Sequence, residues 1–117
     1  MLDVSSLPLS DSEITAVSVG REDVLVELRL WTEEPLVIVF RNVAAVEAFS
    51  PVGEEISDCY ENPGSSLLAR ARRREGDQAE AGLMKCFVFR SAAGDEPVLT
   101  VVAERAERAH GSELPPT

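Results

Sequence analysis

The alternation of side chains in residues 24–31 (VLVELRLW) constrains the fold more than any other feature of the sequence. Positions 24, 26, 28 and 30 are all aliphatic and fall on one face of an extended chain, whereas the other face carries a glutamate and an arginine. Such a period of two is typical of a β-strand with one buried face. The segment therefore predicts a strand that covers a hydrophobic core.

A second predicted strand follows after a short turn. Residues 36–40 (LVIVF) are apolar on both faces, as in a strand that is covered on both sides. The turn at 32–35 (TEEP) ends in a proline, which has no N–H to donate to a central ladder. The two segments therefore predict an antiparallel hairpin.

Four further segments complete the expected fold. Residues 13–19, 83–91 and 97–104 predict strands, and the short connection AAGDE between the last two is typical of a hairpin. Residues 65–75 predict one principal helix with Ser65 as its N-cap, and a glycine follows it. The expected fold class is α+β, with a mainly antiparallel sheet of five to seven strands and one helix.

Two segments of the sequence are compatible with more than one structure. Asn42 can cap a short helix over 43–50, or the same residues can continue the preceding strand through a bulge. Residues 55–60 (EISDCY) form a further possible strand. The predicted core is the same for either alternative. Its residues are Val26, Leu28, Leu30, Ile38, Phe40, Leu68, Phe87, Val88 and Val101.

Length and composition indicate one folded domain. The chain has 117 residues, of which 44% are hydrophobic, and we expect a single domain over 1–117 with a flexible tail over 106–117. No apolar run approaches the roughly 18 residues of a membrane span, and residues 1–6 lack a signal-peptide pattern. We therefore expect a cytoplasmic protein that does not contact a membrane. Cys59 and Cys86 fit neither a disulfide framework nor a metal site, so we expect two buried thiols.

Four arginines within residues 70–74 (RARRR) stand in a chain whose net charge is −10. The acidic excess lies in residues 1–64, whereas acids and bases balance in the remainder. Nucleic-acid modules normally have a basic face and a high pI, but this pI is about 4.5. We therefore expect no nucleic-acid binding. Instead, we expect the arginines to lie on a solvated face of the helix, where their positive charges complement the negative C-terminal end of the helix dipole. The residues expected to be exposed and ion-paired are Arg70, Arg73 and Arg74, with acids of the Glu33–Glu34 or Glu54–Glu55 regions.

The sequence shows no recognisable catalytic, metal or cofactor motif. His110 is the only histidine, and it falls in the expected tail, so a catalytic triad or a metal site has no histidine to use within the folded region. The acidic stretch 54–61 (EEISDCYE) lacks the alternating acids and the glycine of a calcium loop. We therefore assign no catalytic residue, no metal and no cofactor. Acid–base chemistry by a pair of carboxylates stays an alternative.

Trp31 is the side chain best suited to anchor a partner, provided that its strand face is open to water. Packing of Trp31 beneath the helix or a loop is the alternative that we favour. The acidic first half of the chain would attract a basic protein partner. The candidate partner-binding residues are Trp31, Glu33, Glu34, Glu54, Glu55 and Asp58.

The order of DSEITAVSV (11–19), DVLVELRLWTEEPLVIVFRNV (23–43) and KCFVFRSAAGDEPVLTVVAERAE (85–107) resembles that of small β-rich bacterial proteins of unknown function. Some of these look like the immunity proteins encoded beside secreted toxins. The resemblance implies a small cytoplasmic binder without a cofactor. We therefore expect a non-catalytic interaction protein, with toxin neutralisation, homo-oligomeric assembly and carboxylate-dependent catalysis as alternatives. Because a sheet of two hairpins leaves an exposed edge, we also expect a homodimer.

Overall fold

The computed structural model describes residues 2–75 and 83–109. After a 3₁₀ turn (Val4–Ser6), its elements are β1 (Ser12–Val19), β2 (Val24–Arg29), β3 (Pro35–Ala48), β4 (Glu55–Glu61), α1 (Ser66–Glu75), β5 (Lys85–Ser91) and β6 (Pro97–Ala109). Neighbouring strands are all antiparallel, in the order β1-β2-β3-β6-β5-β4, and β4 pairs with β1. The described residues thus confirm a sheet-dominated α+β fold with one helix, but the sheet is a closed barrel and not an open sheet.

The β2–β3 hairpin forms as its pattern predicts. The aliphatic residues at 24, 26 and 28 are buried in the barrel core, because the pleat directs alternate side chains to the same face. Val37 and Val39 lie on the opposite face of β3 from that core and are buried as well. This is the two-sided burial that the apolar segment 36–40 predicted.

The ambiguous segment 43–50 is mainly strand. β3 continues to Ala48, and its second half pairs with β6 from Val43↔Ala103 to Ala48↔Leu99. Asn42 does not cap a helix: its φ of 56° places it next to a bulge in β3, where its side-chain amide donates to Glu104 Oε2 at 2.8 Å. The long ladder with β6 supplies the backbone partners that a short isolated helix would lack.

β6 is longer than predicted and corrects the expected tail. It runs from Pro97 to Ala109, so residues 106–109 are strand, and Ala106 is buried in the barrel. The reason is register, because Val37 at the start of β3 pairs with Ala109 and thereby extends the ladder to that residue. The rest of the expected tail, 110–117, lies outside the described residues.

The barrel closes through a short seam. Only Ser12↔Ile56 and Glu13↔Glu55 join β1 to β4, and beyond Ile14 the ladder of β1 continues only on its β2 side. The N-terminal segment packs beside this seam. Its 3₁₀ turn contacts β4, and Val4 and Leu9 are buried in the barrel core.

Helix α1 lies on the outside of the barrel, against β3, β5 and β6. Leu68 and Ala71 pack there on the outward side chains of Cys86, Val88 and Val102. The same strands bury Phe87 and Val101 inside the barrel, so alternate residues of β5 and β6 serve two separate hydrophobic clusters. As predicted, Ser65 caps the helix by accepting a hydrogen bond from the backbone N–H of Leu68 at 3.3 Å. The glycine expected to end the helix, Gly76, lies outside the described residues.

The predicted core is confirmed at all nine positions. At its centre, the ring of Phe40 lies 5.1 Å from that of Phe87 and 6.0 Å from that of Phe89, measured between centroids. Such tilted and edge-on contacts are favourable for aromatic pairs. Cys59 and Cys86 are both buried and unpaired, as expected.

Candidate functional site

The loop between β2 and β3 projects Trp31 into solvent. Because β2 ends at Arg29, the alternation of the strand does not extend to Trp31. The backbone N–H of Leu30 donates to Glu34 O at 2.9 Å, and that of Glu33 donates to Leu30 O at 2.8 Å. This turn buries Leu30 and leaves Trp31 67% exposed. The favoured expectation that Trp31 packs beneath the helix or a loop is therefore wrong.

A groove of about 270 Å³ lies beside this tryptophan, and we call it the Trp31 groove. Strand register assembles it, since Glu13 of β1 is paired with Arg29 of β2 on one side and with Glu55 of β4 on the other. The loop then brings Trp31 and Glu33 to the same place. The lining residues are Asp11, Glu13, Arg29, Leu30, Trp31, Glu33 and Glu55.

The Trp31 groove carries four carboxylates and one guanidinium. Arg29 Nη2 lies 2.9 Å from Glu13 Oε1, and Arg29 Nε lies 3.8 Å from Glu33 Oε2. Asp11 and Glu55 make no side-chain hydrogen bond or ion pair with any described residue. The groove thus has a net negative charge, and two of its carboxylates have no charged partner within residues 2–75 and 83–109.

The structure brings three of the six candidate partner-binding residues together, namely Trp31, Glu33 and Glu55. Glu34 is exposed on the same loop but does not line the groove. Glu54 instead accepts a hydrogen bond from Ser91 Oγ at 2.7 Å. Sequence reasoning missed Asp11 and Glu13, because only the β1–β2 and β1–β4 registers place them beside the loop.

Asp58 of β4 forms a separate ion pair with Arg90 of β5. Arg90 Nε donates to Asp58 Oδ1 at 2.8 Å, and Arg90 Nη2 donates to Asp58 Oδ2. The Arg90 hydrogen bonds lower the pKa of Asp58. The guanidinium of Arg90 also lies over the ring of Tyr60, 4.8 Å from its centroid. Asp58 is thus occupied by an intramolecular partner and does not join the Trp31 groove.

The arginines of α1 are exposed as predicted, but their predicted ion pairs are absent. Arg70, Arg73 and Arg74 form no salt bridge with an acid in the part of the chain that the structure describes. The helix packs on β3, β5 and β6, whereas the acids proposed as partners lie on the β2–β3 loop and at the start of β4. Arg72 donates to the backbone carbonyl of Met84 at 3.1 Å.

Acids elsewhere pair instead with arginines on neighbouring strands. Arg41 of β3 bonds Asp23 at 2.8 Å and Glu107 of β6 at 3.1 Å, and Arg105 bonds Glu107 at 2.8 Å. The hydrogen bonds from Arg105 and Arg41 lower the pKa of Glu107. These contacts are partly exposed and link the turn before β2 with β3 and β6 on the barrel surface.

The described residues offer no grouping for metal or thiol chemistry. No cluster of three or more potential metal ligands occurs among them, and His110 lies outside them. Burial raises the pKa of the Cys59 thiol well above its ordinary value and also raises that of Cys86, against a hydrogen bond from Ser65. Buried, protonated thiols of this kind are poor nucleophiles.

Comparison of the chain with protein-family models, curated protein sequences and solved structures finds no match. No helix in the described ranges is long and apolar enough to cross a membrane.

Proposed function

We propose that this is a non-catalytic interaction protein that binds a basic segment of another protein in the Trp31 groove. The observation that carries the proposal is a largely exposed tryptophan on the rim of a groove with excess negative charge. Tryptophan is the residue type most enriched at the energetic centres of protein interfaces. The two unpaired cysteines support a reducing compartment, and we propose the cytoplasm as its location.

The geometry suits an arginine or lysine side chain of the partner. The indole of Trp31 offers a face on which a cation can stack, an interaction worth about 0.5–2 kcal/mol depending on desolvation. The carboxylates of Asp11 and Glu55 have no intramolecular partner among the described residues and can accept hydrogen bonds from the cation. Arg29, which neutralises part of the charge of Glu13 and Glu33, limits the number of cations that the groove can hold.

Fluorescence titration with short peptides tests the proposal directly, because Trp31 is the only tryptophan. We expect an arginine-rich peptide to shift the emission of Trp31 saturably, and an acidic peptide of equal length to leave it unchanged. The double variant Asp11→Asn, Glu55→Gln should weaken binding at least tenfold, since two charge-assisted contacts are lost.

A control of equal charge separates the groove from general attraction to an acidic protein. The double variant Glu22→Gln, Glu96→Gln removes the same charge from two exposed positions outside the groove. We expect it to bind the peptide nearly as well as the wild type at physiological salt. If both double variants lost affinity equally, net charge and not the Trp31 groove would explain the binding.

A finer proposal is that the basic partner is a secreted toxin that this protein neutralises. Its support is the resemblance to immunity-like proteins together with the acidic groove. The test is the identity of the genes beside this one, followed by co-expression. A neighbouring toxin whose activity is blocked by the wild type, but not by Trp31→Ala, would support it. A toxin blocked equally by both would refute the role of the groove.

Self-association is a second candidate, because the part of β1 after Ile14 pairs with β2 on one side and has no strand on the other. Thr15 and Ser18 are exposed there, and Val19 is 68% exposed. An unpaired strand edge of this kind can extend a ladder into a second copy. Light scattering at high protein concentration should then report a dimer, which a proline in place of Ser18 should disrupt. A monomeric mass would contradict this candidate.

A further inference from the structure

A second groove lies between α1 and the second half of β3, and we call it the α1 groove. Its volume is about 280 Å³, just below the range of about 300–1,000 Å³ that is usual for small-molecule sites. A space of this size suits one large side chain of a partner. It shares no lining residue with the Trp31 groove. The lining residues are Ala44, Ala45, Leu67, Arg70, Ala71 and Arg74.

The floor of the α1 groove is apolar. It consists of three alanines and one leucine, and the short alanine side chains leave the depression between helix and strand. Ala71 is buried, and Leu67 and Ala45 are partly buried against the hydrophobic cluster beneath the helix. Covering such a floor with another apolar group is favourable, because it removes apolar surface from water.

The rim of the α1 groove carries arginines without acidic partners. Arg70 and Arg74 lie one helical turn apart, and Arg73 falls on the same arc of the helix. All three are exposed, and none of them forms an ion pair or a side-chain hydrogen bond with a residue that the structure describes. Arg72 differs, because it donates to the backbone carbonyl of Met84. Three guanidinium groups are therefore available to acids from another molecule.

The Trp31 groove is the complement of this surface. Its tryptophan is an apolar projection, 67% exposed, whereas the α1 groove is an apolar depression. Four carboxylates and one guanidinium give the Trp31 groove a net charge of −3, which equals in size the charge of the three arginines. The carboxylates of Asp11 and Glu55 have no charged partner in the described ranges. The two surfaces thus match in shape, in polarity and in charge.

The two grooves of one copy lie too far apart to meet. The loop that carries Trp31 enters β3 at Pro35, whereas Ala44 and Ala45 lie in the second half of that strand. At about 3.3 Å per residue, the strand separates these positions by up to about 30 Å. Because both belong to one continuous ladder with β6, this separation is fixed. The match can be used only between two copies of the chain.

We propose that a second copy of this chain is a partner of the Trp31 groove, with Trp31 of one copy seated in the α1 groove of the other. The proposal rests on the proposed function, since it names a basic segment that this groove takes. Arg70 and Arg74 then flank the indole, where a guanidinium can stack on the ring, and pair with Asp11 and Glu55. A second copy and any other basic protein therefore exclude each other from the Trp31 groove.

The net charge of −10 on each copy opposes the contact. At physiological ionic strength, however, salt screens exposed charges over about 8 Å, whereas the charges that meet in the contact are closer than this. The contact joins one loop to one groove, and interfaces of small area are weak. We therefore expect weak association, which a titration up to about 1 mM detects.

Two variants, each lacking one half of the contact, provide the test. Trp31→Ala retains the α1 groove and contains no tryptophan, because Trp31 is the only one. The double variant Arg70→Glu, Arg74→Glu retains Trp31 and reverses the charge of the rim. We expect addition of Trp31→Ala to the double variant to shift the tryptophan emission saturably to shorter wavelength, as the indole leaves water. Circular dichroism verifies that both variants are folded, as expected from the exposure of all three side chains.

Two further titrants separate the α1 groove from general charge effects. Trp31→Ala combined with Arg70→Glu and Arg74→Glu should bind the same fluorescent variant at least about tenfold more weakly, because like charges then meet. Trp31→Ala combined with Arg21→Glu and Arg108→Glu has the same net charge but changes exposed arginines outside both grooves. It should bind as Trp31→Ala does. Equal losses with both titrants would refute the role of the α1 groove.

The result also separates this proposal from the proposed function. Suppose that an arginine-rich peptide shifts the emission of Trp31 in the wild type, but that Trp31→Ala causes no saturable shift up to about 1 mM. The Trp31 groove then binds basic segments, and the second copy alone is refuted as its partner. If neither the peptide nor the protein shifts the emission, both proposals fail.

Discussion

Truncation of Leu68 to alanine tests how strongly this side chain anchors α1 on the barrel. Leu68 is 2% exposed and packs with Ala71 on outward side chains of β5 and β6. The substitution removes Cγ and both methyl groups, a transfer loss of about 2–2.5 kcal/mol at about 0.8 kcal/mol per buried carbon. The residual cavity adds to this, and measured Leu→Ala losses in cores are about 2–5 kcal/mol. If α1 shifts toward the barrel and fills part of the cavity, the loss falls in the lower part of this range, and we expect about 3 kcal/mol.

Equilibrium urea unfolding followed by far-ultraviolet circular dichroism measures this loss. Trp31 fluorescence is unsuited, because the indole is already exposed in the folded state. The matched control is Arg73→Ala on the same helix, whose side chain is exposed and whose removal should change stability by less than about 0.5 kcal/mol. A loss below about 1 kcal/mol for Leu68→Ala, with an unchanged slope, would refute the packing of α1 described above.

Three further predictions concern the loop, the ion pair and the thiols. Glu33 has a φ of 73°, so Glu33→Gly should raise stability by up to about 1 kcal/mol in urea unfolding; a loss would contradict the strain. Arg90 lowers the pKa of Asp58 in the folded protein. The ion pair therefore stabilises the fold at pH values above the unfolded pKa of about 3.9. This stabilisation is lost as the pH falls through the lower pKa of the folded state. Stability measured below about pH 4 should therefore depend less on pH in Asp58→Asn, and an unchanged slope would refute the assignment. Neither Cys59 nor Cys86 should react with a thiol reagent at pH 8 until the chain unfolds; rapid labelling of the native protein would show that the thiols are accessible.

The local elements were predictable because neighbouring residues alone determine them. Alternation in 24–31 and two-sided apolarity in 36–40 each report the faces of a strand, and the core positions follow from those faces. The helix was predictable for a similar reason, since Ser65 and the leucines after it define its start and its buried side. Such patterns carry no information on which strands become neighbours.

The features that depend on distant pairing were not predictable. Closure of the barrel requires the β1–β4 register, and the same register places Glu13 and Glu55 side by side. The favoured packing of Trp31 was wrong because it required a helix or loop to cover the outward face at that position, whereas α1 covers β3, β5 and β6. Ion pairs between the α1 arginines and the acids of residues 1–64 were predicted from the charges of the two halves alone. The sequence does not show which strands the helix covers, and that position decides which acids the arginines can reach.

The position of β6 in the barrel has a consequence for how the chain folds during synthesis. β6 follows the other described strands in the chain, yet it lies between β3 and β5, and its ladder joins positions as far apart as Val37 and Ala109. Contacts between such distant residues make folding slow. Until residues 97–109 leave the ribosome, only β1, through its ladder with β2 and its short seam with β4, can connect β2–β3 to β4–β5, and the barrel stays open between β3 and β5. Closure of the barrel is therefore a late event, and the unpaired edges of β3 and β5 are exposed until it occurs, which is the condition under which intermediates tend to aggregate.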